Sequence, residues 1–88
     1  MRIYDALKEF LYNKKYFISM YEDKLYVYHY QELIKLNSDE IILKIENFIL
    51  SIKGNKLSVS QMTKEELMIQ GIINEVKYKY EWLPNNKD

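Results

Sequence analysis

The fold class of this chain is predicted from residues 48–59, which read Phe48-Ile49-Leu50-Ser51-Ile52-Lys53-Gly54-Asn55-Lys56-Leu57-Ser58-Val59. Before Gly54 the residues Phe48, Leu50 and Ile52 point one way, and apolar residues alternate again after it. A period of two is typical of β-strands. Glycine and asparagine both tolerate positive φ, so Gly54-Asn55 predicts a tight turn between two antiparallel strands.

Segments with the same period lie on both sides of this predicted hairpin. We predict strands at residues 16–22, 25–30, 33–36, 41–45, 48–53, 57–60 and 67–82, with Gly71 as a structural turn that bends the last one. Parallel crossovers need about a dozen residues, and these connections are shorter. The polar segment 62–66 predicts one helical turn capped by Thr63. We therefore expect an antiparallel meander that closes into a small sandwich or barrel, with a β-roll as the alternative.

The N-terminal segment has a helical period instead. Between residues 2 and 14 an apolar stripe recurs at spacings of three and four, formed by Ile3, Ala6, Leu7, Phe10 and Leu11. We expect this stripe to pack on the β-domain. The alternative is a helix that docks on a partner or a membrane surface, although its mixed charge is not what an anionic bilayer selects. The predicted organisation is a helix over 1–15, a β-domain over 16–82 and a tail over 83–88.

Composition excludes several classes of function. The 88 residues carry thirteen basic and thirteen acidic side chains, so no net charge draws the chain to nucleic acid or to an anionic membrane. There is no cysteine for a disulfide or a thiolate zinc site. The apolar stretch at residues 3–11 is too short and too charged for a signal sequence or a membrane span. We expect one cytoplasmic domain.

The sequence contains no pattern that indicates catalysis. His29 is the single histidine, and no nucleophile or carboxylate lies near it in the sequence, so a packed or edge histidine is expected. The adjacent carboxylates Glu65-Glu66 and Asp39-Glu40 should point apart. The two glycines form no phosphate-binding loop. We predict a protein that is not an enzyme, with no catalytic residue, no cofactor and no metal.

Aromatic residues supply the candidate interaction surface. Of the nine tyrosines, three form a predicted ladder in the second strand, and others lie in the last strand together with the tryptophan. The candidate surface consists of Tyr26, Tyr28, Tyr30, Tyr78, Tyr80 and Trp82. Such residues anchor protein interfaces, whereas rings between Lys77 and Lys79 would also suit single-stranded nucleic acid. The simplest alternative is that the rings cover a thin sheet.

The final strand also has a predicted division into two faces. Its apolar and aromatic residues are predicted to share one face, and its charged residues the other. The first set is Ile72, Val76, Tyr78 and Tyr80, and the second is Glu75, Lys77 and Lys79.

Two of these stretches resemble a known family. Residues 48–59 are similar to the central pattern of the YabP/YqfC family, in which an apolar strand ends in an Ile-Lys-Gly turn and a short Leu-x-Val strand follows. Residues 65–78 are similar to its closing pattern of acidic residues, a short strand, a glycine, two aliphatics and a final strand. The resemblance covers residues 16–80 and is closer to the YqfC branch.

The resemblance implies a role in endospore formation, with expression in the mother cell during engulfment and a contribution to the spore envelope (cortex or coat). It carries over no catalytic motif and no cofactor. We therefore expect a non-enzymatic interaction or assembly module in the mother-cell cytoplasm or at the forespore surface. Protein partners and a homo-oligomer formed through unpaired strand edges are expected. The alternatives are a peripheral membrane adaptor that docks through residues 1–14 and, less favoured, a single-stranded nucleic-acid-binding module.

Overall fold

The computed structural model describes residues 15–80, and these form a β-sheet domain. The strands are β1 (Phe17–Tyr21), β2 (Lys24–Tyr28), β3 (Glu32–Leu36), β4 (Glu40–Ile45), β5 (Phe48–Met62) and β6 (Glu66–Tyr80). The mainly β class is confirmed. The predicted helix over residues 2–14, the side chain of Trp82 and the tail over 83–88 lie outside the described residues.

All six strands belong to one antiparallel sheet in the order β1-β2-β6-β5-β4-β3. β5 and β6 are 15 residues long and form a central hairpin. β2 pairs with residues 66–70 of β6, whereas β4 pairs with residues 48–53 of β5. The long hairpin therefore belongs to two parts of the sheet, which we call the β1–β2 half and the β3–β4 half.

The predicted hairpin at Gly54-Asn55 is wrong. Both residues lie inside β5, which runs unbroken from Phe48 to Met62. The chain reverses at Thr63–Glu66, where the Thr63 N–H donates to the Glu66 carbonyl over 2.8 Å. The Thr63 hydroxyl oxygen accepts the N–H groups of Glu65 (3.2 Å) and Glu66 (2.9 Å). Thr63 therefore caps a hairpin turn and not the predicted helical turn.

The two glycines allow the central hairpin to bend. A Cβ on Gly54 would overlap the carbonyl oxygen of Ile72, and one on Gly71 would lie 2.6 Å from that of Lys56. Gly71 also has a φ of 135°, and Lys56 across from it has a φ of 54°. The register between β5 and β6 shifts at this point. Because a bulge increases strand bending, the hairpin curves where its two backbones approach most closely.

The bend places the two halves on opposite sides of one core. The buried cluster takes Leu25, Val27, Leu57, Leu67 and Ile69 from the β1–β2 half, and Ile41, Leu43, Ile45, Phe48, Leu50 and Ile52 from the β3–β4 half. Within residues 15–80 every buried side chain is apolar. The core thus depends on the hydrophobic effect alone, and polar side chains remain at the surface.

The connection between β2 and β3 crosses from one half to the other. The His29 N–H donates to the Glu65 carbonyl over 2.6 Å, and the Gln31 N–H donates to the Lys44 carbonyl over 2.8 Å. Because of this crossing, β2 pairs with β6 and not with β3. The predicted meander is therefore confirmed from β3 to β6 and for the β1–β2 pair, and it is wrong between β2 and β3.

The predicted closure into a sandwich or barrel is also wrong, because the six-stranded sheet stays open. Closure would require β1 to pair with the C-terminal part of β6, and no such pairing exists within residues 15–80. Side chains from the two strands, Ile18 and Tyr78 among them, instead line a common cavity. The two edges therefore border a common groove at the mouth of the folded sheet instead of pairing.

An ion pair joins β3 to β4 at one edge of the sheet. Lys35 Nζ lies 2.9 Å from Glu40 Oε1, and the Ser51 hydroxyl donates to Glu40 Oε2 over 3.3 Å. The hydrogen bond from Lys35, reinforced by its charge, lowers the pKa of the Glu40 carboxyl below its ordinary 4.5. The same hydrogen bond and charge raise the pKa of Lys35 above 10.5.

This ion pair predicts an acid-dependent contribution to stability. A carboxyl whose pKa is lowered by folding stabilises the protein above its unfolded pKa, and this stabilisation is lost as the pH falls through the lowered value. We expect Glu40→Gln to be less stable than the parent at pH 7 and equally stable once Glu40 is protonated. Urea midpoints from pH 7 to pH 2 measure this difference. Glu32→Gln on the neighbouring strand β3 is the control, and an E40Q deficit that persists at low pH would contradict the assignment.

Candidate interaction surface

The sheet distributes the predicted aromatic surface over different faces. Tyr26 and Tyr28 alternate with the buried Leu25 and Val27 and therefore lie on the outer face of the β1–β2 half. Tyr30 follows the crossing and packs against the core. Tyr78 lies opposite Leu50 and Tyr80 lies opposite Phe48, so both tyrosines are on the inward face of the β3–β4 half. The five described rings therefore do not form one surface, and Trp82 lies outside the described residues.

The two outer tyrosines are half-buried and contact their neighbours. The Tyr26 hydroxyl donates to Glu66 Oε2 over 2.9 Å, and its ring centroid lies 6.4 Å from that of Phe17. The Tyr28 ring stacks on His29 with centroids 4.0 Å apart. These rings cover the thin sheet, which is the simpler of the roles considered for them.

Tyr30 does not continue the ladder. His29 has a φ of 67°, a left-handed conformation that breaks the alternation of the strand. The Tyr30 ring then packs against the core, and its hydroxyl donates to the Thr63 carbonyl over 2.7 Å. The predicted three-residue ladder is wrong at this position, where the tyrosine ties the crossing to the β5–β6 turn.

Tyr78 and Tyr80 form the most exposed aromatic surface within residues 15–80. Both ring centroids lie 5.7 Å from that of Phe48 and 5.7 Å from each other, in edge-to-face geometry. Phe48 is buried, whereas Tyr78 and Tyr80 are 62% and 52% exposed. The Tyr16 ring packs edge-on against Phe48 from the other side at 5.1 Å. We call these four residues the aromatic shelf.

The shelf forms one wall of an open groove at the mouth of the folded sheet. The groove has a volume of about 270 Å³. Its lining is apolar or aromatic throughout and consists of Tyr16, Ile18, Phe48, Leu50, Tyr78 and Tyr80. The polar atoms that these side chains add to it are tyrosine hydroxyls, so the groove can bind apolar groups and offer hydrogen bonds at its rim.

The lysines of β6 lie on the face away from the shelf. Lys77 pairs with Ser51 and Lys79 with Ile49, whereas the tyrosines pair with the buried residues between them. Lys77 also contacts Glu75, with 3.4 Å between Nζ and Oε2. Bases stacked on the tyrosines would therefore not bring their phosphates to the lysines of the same strand, an arrangement that disfavours nucleic-acid binding here.

One residue of the predicted β6 face is misplaced. Ile73, not Ile72, packs against the core, and Ile72 is 58% exposed. The cause is the register shift that skips Asn74, since Lys53 pairs with Glu75 and Gly54 with Ile73. A bulge of this kind is set by the partner strand, and the alternation within residues 72–80 does not reveal it.

The backbones of His29 and Glu65 are hydrogen-bonded, but within residues 15–80 no hydrogen bond or ion pair joins the side chains considered for catalysis. His29 Nδ1 lies 3.2 Å from the Lys15 carbonyl oxygen, and its ring stacks on Tyr28. Glu66 accepts the hydrogen bond from Tyr26, and Glu40 the one from Lys35. Within residues 15–80 no three His, Asp or Glu side chains are grouped to hold a metal ion. The same stretch contains no helix that is long and apolar enough to cross a membrane.

Two shelf residues were not among the sequence-predicted site residues. Tyr16 and Phe48 are 32 positions apart in the chain, as their numbers show, and meet because the sheet folds over. The alternation predicts that Phe48 shares a face with Leu50 and Ile52, but no local pattern places Tyr16 beside it.

A comparison with protein-family models covers most of the chain. The family model described as the YabP family matches residues 13–82, which is most of the chain. The match does not assign the chain to the YqfC branch. No curated protein matches the chain.

Proposed function

The chain belongs to the YabP family, which is associated with sporulation, and on this premise we propose that it is a non-enzymatic interaction module that contributes to building the spore envelope. It acts in the cytoplasm of the mother cell and binds a protein partner at the forespore side. The aromatic shelf is its contact surface. The partner supplies a short apolar segment that fills the groove, with polar atoms at its edges for the tyrosine hydroxyls.

The exposure of Tyr78 and Tyr80 is the observation that carries this proposal. Two large rings on the inward face of a sheet are more than half exposed while they contact the buried Phe48. Tyrosine is enriched among residues that dominate binding energy, because it offers a large rigid surface and a hydroxyl at little entropic cost. These rings are already oriented by Phe48 and by each other, which reduces the cost of ordering them on binding.

The open shape of the groove favours side chains of a protein over a small ligand. Small-molecule pockets enclose most of their ligand, whereas this groove is open to solvent. The absence of net charge gives no attraction for a nucleic acid or an anionic membrane. A modest apolar contact with a polar rim is what a transient assembly interface requires.

The proposal predicts a loss of spores when the shelf is removed. We expect Tyr78→Ser/Tyr80→Ser, expressed from the native locus, to lower heat-resistant spores per viable cell by about tenfold or more, because two anchor residues are lost. Lys77→Ser/Lys79→Ser changes the same strand on the opposite face and should leave the count unchanged. Tyr78→Phe/Tyr80→Phe keeps the rings and should retain most of the function.

Two controls separate the parts of this proposal. A clean deletion of the gene that leaves the spore count normal would refute the role in sporulation. A deletion that lowers the count, combined with a folded serine double variant that sporulates normally, would refute the shelf as the contact. Thin sections of the deletion strain show whether cortex or coat is malformed, and an intact envelope would contradict the envelope role.

A further inference from the structure

The C-terminal part of β6 is a strand edge that borders the groove. On one side, residues 75–80 pair with residues 48–53 of β5. β2 pairs with β6 only over residues 66–70, so within residues 15–80 no strand pairs with the other side of this edge. Its side chains are all exposed. The backbone N–H and C=O groups along such an edge can pair with an added strand.

The side chains of this edge alternate between the groove and the outer face. Tyr78 and Tyr80 line the groove. Lys77 and Lys79 alternate with them and lie on the opposite face. Residues directly opposite each other in a ladder share a face. An added strand would therefore direct every second side chain into the groove and the others towards the lysines.

We propose that the protein partner binds by strand addition along residues 75–80, through an extended segment in which apolar and acidic side chains alternate. This inference rests on the proposed function, since it concerns the same groove and the same partner. The apolar side chains lie opposite Tyr78 and Tyr80 and fill the groove, whose lining is apolar or aromatic throughout. The acidic side chains lie opposite Lys77 and Lys79. The ladder adds backbone hydrogen bonds to the contacts of the rings.

The charges of this edge disfavour a second copy of the chain as the added strand. Like charges directly opposite each other destabilise a ladder. An antiparallel copy centred on Tyr78 would place Lys77 opposite Lys79 twice, and one centred on Lys77 would place that lysine opposite itself. A copy centred on Val76 would avoid both, but its ladder would run into the register shift at Asn74. Acidic side chains at these positions meet no such repulsion.

The lysines select the segment more than they hold it. Ion pairs between exposed side chains contribute little affinity. The side chain of Lys77 is 67% exposed and already contacts Glu75. Loss of the lysines is therefore tolerated, as expected above for Lys77→Ser/Lys79→Ser, whereas a basic segment is repelled. The affinity comes mainly from the aromatic shelf and the backbone ladder.

The test uses a fluorescein-labelled peptide of about seven residues, long enough to span this edge, in which glutamate and valine alternate. It is titrated with the full 88-residue chain and followed by fluorescence anisotropy. We expect a dissociation constant of about 10 to 500 μM, the range of a weak transient contact. Tyr78→Ser/Tyr80→Ser should weaken binding by about tenfold or more. A peptide of the same composition with its valines in one block should also bind more weakly.

N-methylation of the peptide separates strand addition from contacts of side chains alone. In a paired strand, the N–H groups of alternate residues point at the neighbouring strand and those of the residues between them point away. Methyl groups on one alternate set should therefore weaken binding by about tenfold or more, and those on the other set should leave it almost unchanged. Equal effects of the two sets would overturn the strand addition. The proposed function would stand if the affinity still depended on the shelf.

Charge reversal tests the chemistry assigned to the segment. Lys77→Glu/Lys79→Glu should prefer a peptide with lysine in place of glutamate, which reverses the preference of the parent chain. Lys56→Glu/Lys64→Glu changes the net charge equally at two exposed positions outside this edge and should keep the parent's preference. If the first variant keeps it as well, the assignment of acidic side chains is wrong.

Other occupants of the edge would give different results. A chain that sediments at twice 10.8 kDa and returns to the monomer when the peptide is added would identify a second copy as the occupant. A higher affinity for the peptide in Leu7→Glu/Leu11→Glu would identify residues 1–14. Either result would overturn the assignment to a partner, as would no binding of the peptide up to about 1 mM. The spore counts of the shelf variants test the proposed function separately.

Discussion

Replacing Gly71 with alanine is expected to cost roughly 3 kcal/mol or more of the free energy of unfolding, because two penalties add. An alanine would have to adopt a φ of 135°, a conformation that L residues rarely adopt. Its Cβ would also lie 2.6 Å from the Lys56 carbonyl oxygen and 3.0 Å from the Leu57 Cα. Both are backbone atoms of the paired strand, so relief requires the central hairpin to shift. A domain of this size has only about 4–13 kcal/mol of stability to lose.

Urea unfolding followed by circular dichroism measures the effect of Gly71→Ala, and the midpoint should fall by a large fraction of its value. Lys56→Gly is the matched control, since it removes a side chain from a φ of 54° in the same bulge. That variant should be neutral or gain up to about 1 kcal/mol. A Gly71→Ala variant as stable as the parent would show that the bend is not held by this close approach.

Truncation of Phe48 to alanine is the second large effect that we expect, about 3–5 kcal/mol of unfolding free energy. The ring is 3% exposed and contacts three other rings, those of Tyr16, Tyr78 and Tyr80. Its removal loses buried apolar area, leaves a cavity and ends three edge-to-face contacts, each worth roughly 0.5–1.5 kcal/mol beyond burial. The variant should therefore lose both stability and the order of the aromatic shelf.

The free energy of unfolding of Phe48→Ala, measured in urea, is compared with that of two further variants. Phe48→Leu keeps most of the volume and should cost less than half as much. Ile72→Ala removes a side chain that is 58% exposed and should change the free energy of unfolding by less than about 1 kcal/mol. If Phe48→Ala is no more destabilising than Ile72→Ala, the view of Phe48 as the hub of the shelf is incorrect.

The positions of β1 to β4 could be predicted from the sequence. Each is a short run with polar residues at both ends, and in β2 and β4 every second side chain is buried, so local pattern and burial agree in those two strands. Leu25 and Val27, predicted on one aliphatic face, are both buried, and Thr63 caps a turn close to where capping was expected. The sporulation family was also accessible, because its signature consists of strand and turn patterns that survive as sequence.

The central hairpin could not be predicted, because a two-residue turn and a bulge use similar residues. Gly54-Asn55 satisfies the requirements of a tight turn, yet positive φ is found at Lys56 and Gly71, where β5 and β6 cross closely. Which of the two structures forms depends on the strand that runs alongside. Residues 66–80 run alongside β5 for its whole length, and this pairing is not visible within residues 48–59.

The mainly β class, the alternation that buries every second side chain of β2 and β4, and the family can all be predicted from the amino-acid sequence. These follow from local periodicity, which every strand carries with it. Only the tertiary structure decided that the sheet bends and stays open, that Tyr30 turns inward, and that Tyr16 meets Phe48 beneath Tyr78 and Tyr80. These features arise from pairing between distant segments, where a register shift or one close backbone contact determines which face each side chain occupies.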